Sequence, residues 1–509
     1  MANYGFAIDL RKCIGCHACT IACKSEHEIP VGVNRCWVKT VEKGSFPDTR
    51  RFFFPVLCNQ CADAPCVRIC PTNALYRRRD GIVDLNAASC IGCRACMEAC
   101  PYDQLFIDPN THTAEKCNFC ANRVENELLP ACVIVCPTEC RIFGDLDDPS
   151  SAVSRIVQHE AFTVRKPEKG TGPKIFYLGA EESAIRPEAA ARPLYYKEGT
   201  VHLRPVGAPD EDPERPGDPR VDYDIPHGKP WGRDMVLYLF FKAVSTGAMM
   251  LAALLWLVGI KSTVTTVVGP AVSVVLISMT AAVLVADLER PERFHYILTR
   301  SNWRSWMVWG AWFLTGHGAI GAMWLVAGWL GWSTVIDALA WPAILVALAA
   351  TAYTGFLFAQ GRGRDLWQGP HAALDLVAQS GVAGAAALLL VFRPHDHVGE
   401  RQQTALLVAL AASLLVHIAI LVFENVLAPS PTVHHELAVR TIRKGRYAPL
   451  FWGLCIGAGG VLPLYLLWLF VRFDIYLFDR IAFVSLLALA GSAAWDYIWV
   501  EAGQSVPLS

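Results

Sequence analysis

An α+β domain of short cysteine-bearing turns, followed by an all-α bundle of eight transmembrane helices, is the fold class that two features of the sequence predict. Sixteen of the 19 cysteines fall into four quartets between Cys13 and Cys136. Beyond Trp231 the chain turns into apolar runs of membrane-spanning length. With 509 residues, 53% of them hydrophobic and 18% charged, one soluble core does not account for the chain. The net charge of −1 gives no electrostatic case for nucleic acid as a partner.

The quartets read C-x2-C-x2-C-x3-C at 13–23, C-x2-C-x4-C-x3-C-P at 58–71, C-x2-C-x2-C-x3-C-P at 90–101 and C-x2-C-x11-C-x3-C-P at 117–137. Three closely spaced thiolates hold three irons of one cubane, and the fourth, carried away by the turn that follows, ligates a neighbouring cluster. Structural zinc uses two C-x2-C pairs, and three cysteines in seven residues exceed what a tetrahedral ion takes. Four [4Fe–4S] clusters are therefore expected in residues 1–150, separated by brief extended stretches such as 81–84 and 105–107. Cys36, Cys140 and Cys455 belong to no quartet and read as buried thiols. Cluster assembly needs reduced cysteine, and MANYGFAIDLRKCIGC has no apolar export segment, so maturation in the cytosol is expected.

Residues 151–232 shift to Pro, Glu, Asp and Gly, with GAPDEDPERPGDPRVDYD at the centre, and read as a surface connector with no core of its own. Its apolar island 174–178 is expected to dock on the cluster domain. Spanning runs follow at 235–259, 264–287, 306–330, 333–358, 371–392, 403–427, 449–471 and 480–500, within a membrane domain of 233–509. Small residues in GHGAIGA (316–322) and GVAGAAA (381–387) predict close helix contacts. The run GAGGVLP (457–463) predicts a weak point in the seventh helix.

Lys229, Arg233, Arg290, Arg293, Arg300, Arg304, Arg362, Arg364, Arg440, Arg443, Lys444 and Arg446 lie on the side of the cluster domain; Lys261, Arg393, Arg401, Arg472 and Arg480 lie on the other. By the positive-inside rule the clusters face the cytoplasm from the inner membrane. Arginines that contact the cluster domain would produce the same bias.

The quartets resemble those of the four-cluster ferredoxin subunit of complex iron–sulfur molybdoenzymes, over about the first 150 residues. The resemblance implies an exchange of last ligands, first quartet with fourth and second with third. The ligand sets would be Cys13, Cys16, Cys19 with Cys136; Cys117, Cys120, Cys132 with Cys23; Cys58, Cys61, Cys66 with Cys100; and Cys90, Cys93, Cys96 with Cys70. In the membrane half, DLERPERFHYILTRSNWRSWM (287–307) and YTGFL (353–357) resemble the polysulfide-reductase-type, NrfD-like membrane subunits. This implies electron exchange with quinone, no haem, and a quinone pocket near the face that meets the ferredoxin part.

Depth along the helices points to the same end. Lys242 lies two turns into the first helix, Asp287 ends the second, and Tyr353 is near the end of the fourth. Ionisable groups at such depth face a cavity or a partner. Quinone reduction needs hydrogen-bond donors at the carbonyl oxygens and a proton supply. Asp287 is expected to relay protons and Tyr353 and Lys242 to contact the head group, with His295 in the adjoining loop a further candidate. The competing reading has Lys242 snorkelling, Tyr353 anchoring at the interface, and Asp287 capping against Arg290 or Arg293. His317 and His417 fall near mid-membrane, where they suit either a haem or a proton route. The resemblance favours the route, with Glu424, Asp375 and Asp496 as further intramembrane acids.

These readings describe an electron-transfer and membrane-anchor subunit of a respiratory oxidoreductase, with no substrate site of its own. The resemblance implies a molybdopterin (molybdenum or tungsten) catalytic partner docked on the ferredoxin domain. The alternative is a redox-driven ion-translocating module fed by a hydrogenase, flavoprotein or ferredoxin.

Overall fold

In the computed structural model the described residues are 2–190, 217–391, 397–473 and 477–509. The centre of the connector and Arg393 lie outside them. The strands in chain order are β1 Tyr4–Asp9, β2 Cys36–Gly44, β3 Arg50–Leu57, β4 Leu75–Arg77, β5 Val83–Leu85, β6 Phe106–Ile107, β7 Ala114–Glu115, β8 Arg141–Asp145, β9 Ile175–Leu178 and β10 Gly217–Tyr223. β1 lies between antiparallel β8 and parallel β9, with Phe6 opposite both Phe143 and Ile175. β2 and β3, rich in aromatic and β-branched residues, form a hairpin that β10 extends. β4 pairs with β5 and β6 with β7, framing the middle quartets.

Two of these strands come from the stretch read as a surface connector. The apolar island becomes β9, buried at Ile175, Tyr177 and Leu178, and its Tyr177 ring stacks on Phe54 at 4.5 Å between centroids. β10 follows the acidic centre and returns the polypeptide to the cluster domain before it enters the membrane.

Among the described residues eight helices are long and apolar enough to cross a membrane: Arg233–Leu257, Val264–Ala286, Trp306–Leu330, Ser333–Ala359, Ala372–Val391, Val398–Leu427, Pro449–Phe473 and Phe478–Gly503. Small residues set their closest approaches. Gly247 of the first backs onto Ser380 and Gly384 of the fifth, leaving no room for a Cβ on either glycine. The weak point in the seventh is a wide π-helical stretch, Pro449–Val461, whose Gly459 meets Gly491 of the eighth. Exposed Trp309 and Trp312 near one end of the third helix, and Trp329 and Trp332 near the other, mark two interfacial belts.

The two halves share one hydrophobic core. It runs from Cys96, Ala99, Tyr102 and Leu105 into Trp231, Phe358, Trp367 and Trp499. Trp231 stacks on Trp367 at 5.6 Å and donates to the Cys93 carbonyl at 3.4 Å. Around this core the membrane side supplies donors to cluster-domain carbonyls. Arg293 reaches those of Ala87 and Cys90, both at 2.9 Å, Asn302 that of Cys70 at 2.8 Å, and Ser305 that of Ile69 at 2.6 Å. Arg290 bonds the Thr111 carbonyl and Arg300 the Ser89 hydroxyl, each at 2.9 Å. Arg362 pairs with Asp63 at 3.3 Å. Arg364 forms a buried ion pair with Glu98 at 2.6 Å. Gly363 passes so close that a Cβ would lie 2.7 Å from the Glu98 carbonyl oxygen. Five of the twelve cations counted on this side, Arg290, Arg293, Arg300, Arg362 and Arg364, thus bond the cluster domain.

Candidate functional site: a thiol wire ending at an intramembrane cavity

Folding sorts the thiols into sets drawn from more than one quartet. Cys58, Cys61, Cys66 and Cys100 line one small cavity, and Cys70, Cys90, Cys93 and Cys96 line another. Cys23 and Cys117 gather with Cys120 and Cys132. At the remaining set Cys13 neighbours Cys19 and bonds Cys140, which lies 3.5 Å from Cys136; Cys16 is exposed. Left-handed backbone at His17, Arg94 and Cys120 opens the short helices that carry several of these thiols.

Among the described residues no three His, Cys, Asp or Glu side chains close around a single ion. The two middle sets enclose space, as a cubane requires and a lone zinc does not. Burial and the neighbouring Cys58 push the Cys61 thiol up to about 12, and burial with Cys70 does the same for Cys93. Sulfurs so placed remain thiolates when bonded to iron, and the donor set fits [4Fe–4S] clusters.

The sets stand in a row. Cys19 of the first is within electrostatic reach of Cys132 of the second. Cys117 of the second reaches Cys58 of the third, and Cys66 of the third reaches Cys96 of the fourth. Cys93 of the fourth lines a cavity of about 380 Å³ between the first four membrane helices and the loop after the second. That volume is in the range of small-molecule sites. The wall is largely apolar, with Trp231, Met235, Ile277, Leu284, Leu314 and Leu357, and its polar groups include Asp287, Tyr238 and Tyr353.

Asp287 and Tyr353 therefore line the same cavity. The Asp287 carboxylate pairs with Arg94, which also donates to the Asp287 carbonyl at 2.7 Å. This replaces the cap expected from Arg290 or Arg293. Burial lifts the Asp287 carboxyl above the usual carboxylate range, against the pull of Arg94. The Tyr353 ring fits where Gly310 leaves no side chain, and its hydroxyl bonds that of Tyr238. Lys242 is not in the wall. It sits behind both tyrosines, its ammonium 4.9 Å from the Tyr238 ring centre and 5.3 Å from that of Tyr353. It donates to Thr354, whose hydroxyl is 2.8 Å from that of Tyr238. His295 is also outside the wall, its ring packed edge-on against Tyr296 at 4.7 Å while Phe294 and Ile297 line the cavity. Tyr238, one helical turn before Lys242, is the residue the sequence reading missed; that spacing was its signal.

Two comparisons bear on this arrangement. Residues 49–146 match the 4Fe-4S dicluster domain, and residues 224–507, more than half of the sequence, match the family described as Polysulphide reductase, NrfD. The chain is a member of the NrfD family. Among curated relatives, a subunit of the tetrathionate reductase of Salmonella typhimurium is 43% identical over 201 residues, 38% of this chain and 80% of the relative. A component of the polysulfide reductase of Wolinella succinogenes is 42% identical over 188 residues, 36% of this chain and 97% of the relative. The arsenate respiratory reductase iron-sulfur subunit ArrB of a Shewanella strain is 36% identical over 222 residues, 34% of this chain and 95% of the relative. The chain is an iron–sulfur electron-transfer protein with a multi-pass NrfD membrane domain.

A buried polar series runs through the NrfD domain behind the cavity. Lys242 faces Asp496, which accepts from Gln379 at 2.8 Å. Beside it Asp375 pairs with His417 at 2.6 Å and accepts from Trp495 at 3.0 Å. Glu424 faces Asp375 and pairs with His371 at 3.0 Å, where the ring is 42% exposed on the cluster-domain side. His317 belongs elsewhere, 3.2 Å from the Ser245 hydroxyl and 3.0 Å from that of Ser273. The two mid-membrane histidines thus serve different groups of helices.

Proposed function

We propose that this chain carries electrons between the quinone pool and a molybdopterin-type catalytic subunit through four [4Fe–4S] clusters. The observation that carries the reading is the cavity wall that joins Cys93 of the last thiol set to Asp287, Tyr238 and Tyr353. A quinone head group there is adjacent to the end of the wire and to three groups that exchange or donate protons. Each cubane is assigned its four thiols as grouped above, and the clusters supply one-electron steps when bound. Tyr353 and Tyr238 orient the quinone oxygens, Lys242 holds the tyrosines from behind, and Asp287 exchanges protons at the mouth. His417 and Glu424 form the proton route, joined by Asp496, Asp375 and His371; His317 is a separate polar site.

The catalytic partner is placed at the opposite end of the wire. There Cys16 is exposed and Ile14, Ile21, Ile134 and Val135 stand in solvent. The reductase relatives support a partner of the same class. The cluster domain is placed on the cytoplasmic side of the inner membrane, supported by an excess of seven cations against five once the docking arginines are set aside. A cysteine introduced at 259–262 is then labelled from outside whole cells by a membrane-impermeant reagent; labelling only after lysis reverses the orientation.

The deciding experiment adds quinol anaerobically to the purified full chain and follows the clusters by EPR. Reduction that a quinone-site inhibitor blocks is expected. Clusters that dithionite reduces and quinol does not, across quinols of different potential, overturn the reading.

A further inference from the structure

Arg141 and Lys116 are buried cations with 2% and 3% of their surface exposed. Arg141 donates to the sulfur of Cys36 at 3.1 Å, and its other terminal nitrogen has no hydrogen-bond partner. The ionisable groups around it are Cys36, Cys19, Cys132 and Cys140. Cys19 belongs to the first thiol set and Cys132 to the second, so the guanidinium stands at the joint between them. Lys116 occupies the next joint. Its ammonium donates to the Val83 carbonyl and, at 3.1 Å, to the carbonyl of Cys117 of the second set, and it acts electrostatically on Cys66 of the third. Gln60 locks this joint, donating to the Cys117 carbonyl at 2.7 Å and accepting from the Val83 amide at 2.6 Å.

A cation withdrawn from water and left with neutral partners costs several kcal/mol. Arg141 among neutral thiols is such a group, whereas Arg141 between two anionic iron–thiolate clusters is compensated. Each reduction adds one negative charge to a cluster, and a nearby buried cation favours that state.

We propose that Arg141 and Lys116 are electrostatic bridges of the wire. Each raises the reduction potential of the two clusters it stands between, and the second cluster feels both. This rests on the four-cluster reading above. The bridges keep successive clusters accessible to the same electron, since charge placed on one is offset by a cation its neighbour shares.

The test is an anaerobic EPR redox titration of the purified full chain, with iron and sulfide analysis, for Arg141→Met and Lys116→Met. Expected for Arg141→Met is a fall in the first and second clusters, and for Lys116→Met in the second and third. At fixed potential the reduced-to-oxidised ratio drops roughly tenfold, about 59 mV for a one-electron couple. Arg141→Lys and Lys116→Arg retain the charge and hold the ratio. If a methionine variant loses iron, Arg141→Gln or Lys116→Gln, which keeps a donor without the charge, is titrated in its place. Variants with full iron and sulfide and unchanged potentials overturn the proposal. Fewer than four cubanes in the unaltered protein overturns the four-cluster reading instead, a result that iron and sulfide analysis gives without any titration.

Discussion

The two ends of the thiol wire are built differently. At the membrane end, Cys93 and Cys96 sit in a core continuous with Trp231, Phe358 and Trp367, ringed by arginines bonded to main-chain carbonyls. At the far end, Cys16 is exposed, and Ile21 and Ile134 around it are 63% and 59% exposed. Both ends present apolar side chains, and among the described residues one end alone is covered. A permanent joint buries its charges in pairs and its ring systems in stacks; a surface made for a separate protein leaves its apolar residues bare.

The largest effect that tests this contrast is expected at the Arg364–Glu98 pair. Arg364→Met leaves the fully buried Glu98 carboxylate without its partner, at a cost of about 3–5 kcal/mol. Limited proteolysis should then release the cluster domain from the membrane, and an unchanged cleavage pattern and melting temperature would show that the pair does not hold the joint. The same joint should respond to pH. Burial alone would lower the pKa of His227, but Asp103, paired with it at 2.5 Å, and Asp224 hold it up at about 9. A pKa raised by folding gives stability that is complete below the unfolded value near 6.5 and lost as pH rises through about 9. The loss is about 3 kcal/mol, read as a fall in melting temperature between pH 6 and pH 10 that His227→Gln removes.

Tyr353→Phe deletes one hydroxyl from the cavity wall. Quinol-driven cluster reduction is expected to slow by roughly 100-fold, with dithionite reduction and melting temperature unchanged; equal rates with quinol would remove Tyr353 from the site. At the open end only a small effect on stability is expected. Ile21→Glu with Ile134→Glu should shift stability by no more than about 0.5 kcal/mol and leave quinol reduction intact, while abolishing co-purification of the catalytic subunit. Retention of that subunit would move the docking surface elsewhere.

What the sequence made legible was local. Cysteine spacing and the lengths of apolar runs need no knowledge of distant residues, and the membrane helices begin and end within a few residues of the runs read from hydropathy. Pairings across long separations were not legible. β9 lies more than 160 residues from its partner β1, and nothing near Asp287 pointed to Arg94. Lys242 and Tyr353 were placed in one wall because depth along a helix is readable while rotation about its axis is not, and a lysine one turn beyond Tyr238 faces the back of the tyrosine pair. The arginine excess was legible only as two readings, membrane topology or docking, because spacing does not show which cations meet the cluster domain; Arg290, Arg293, Arg300, Arg362 and Arg364 do.

The continuous core has a consequence for how the protein is made. Trp231, Trp367 and Trp499 complete their packing against residues that lie among the cluster ligands. Cluster loading and the packing of these helix ends are therefore expected to depend on one another. A polypeptide synthesised under iron starvation should reach the membrane with its tryptophan seat unfilled and exposed to quality-control proteases, so the expected readout in a pulse-chase is a shorter half-life of the whole protein.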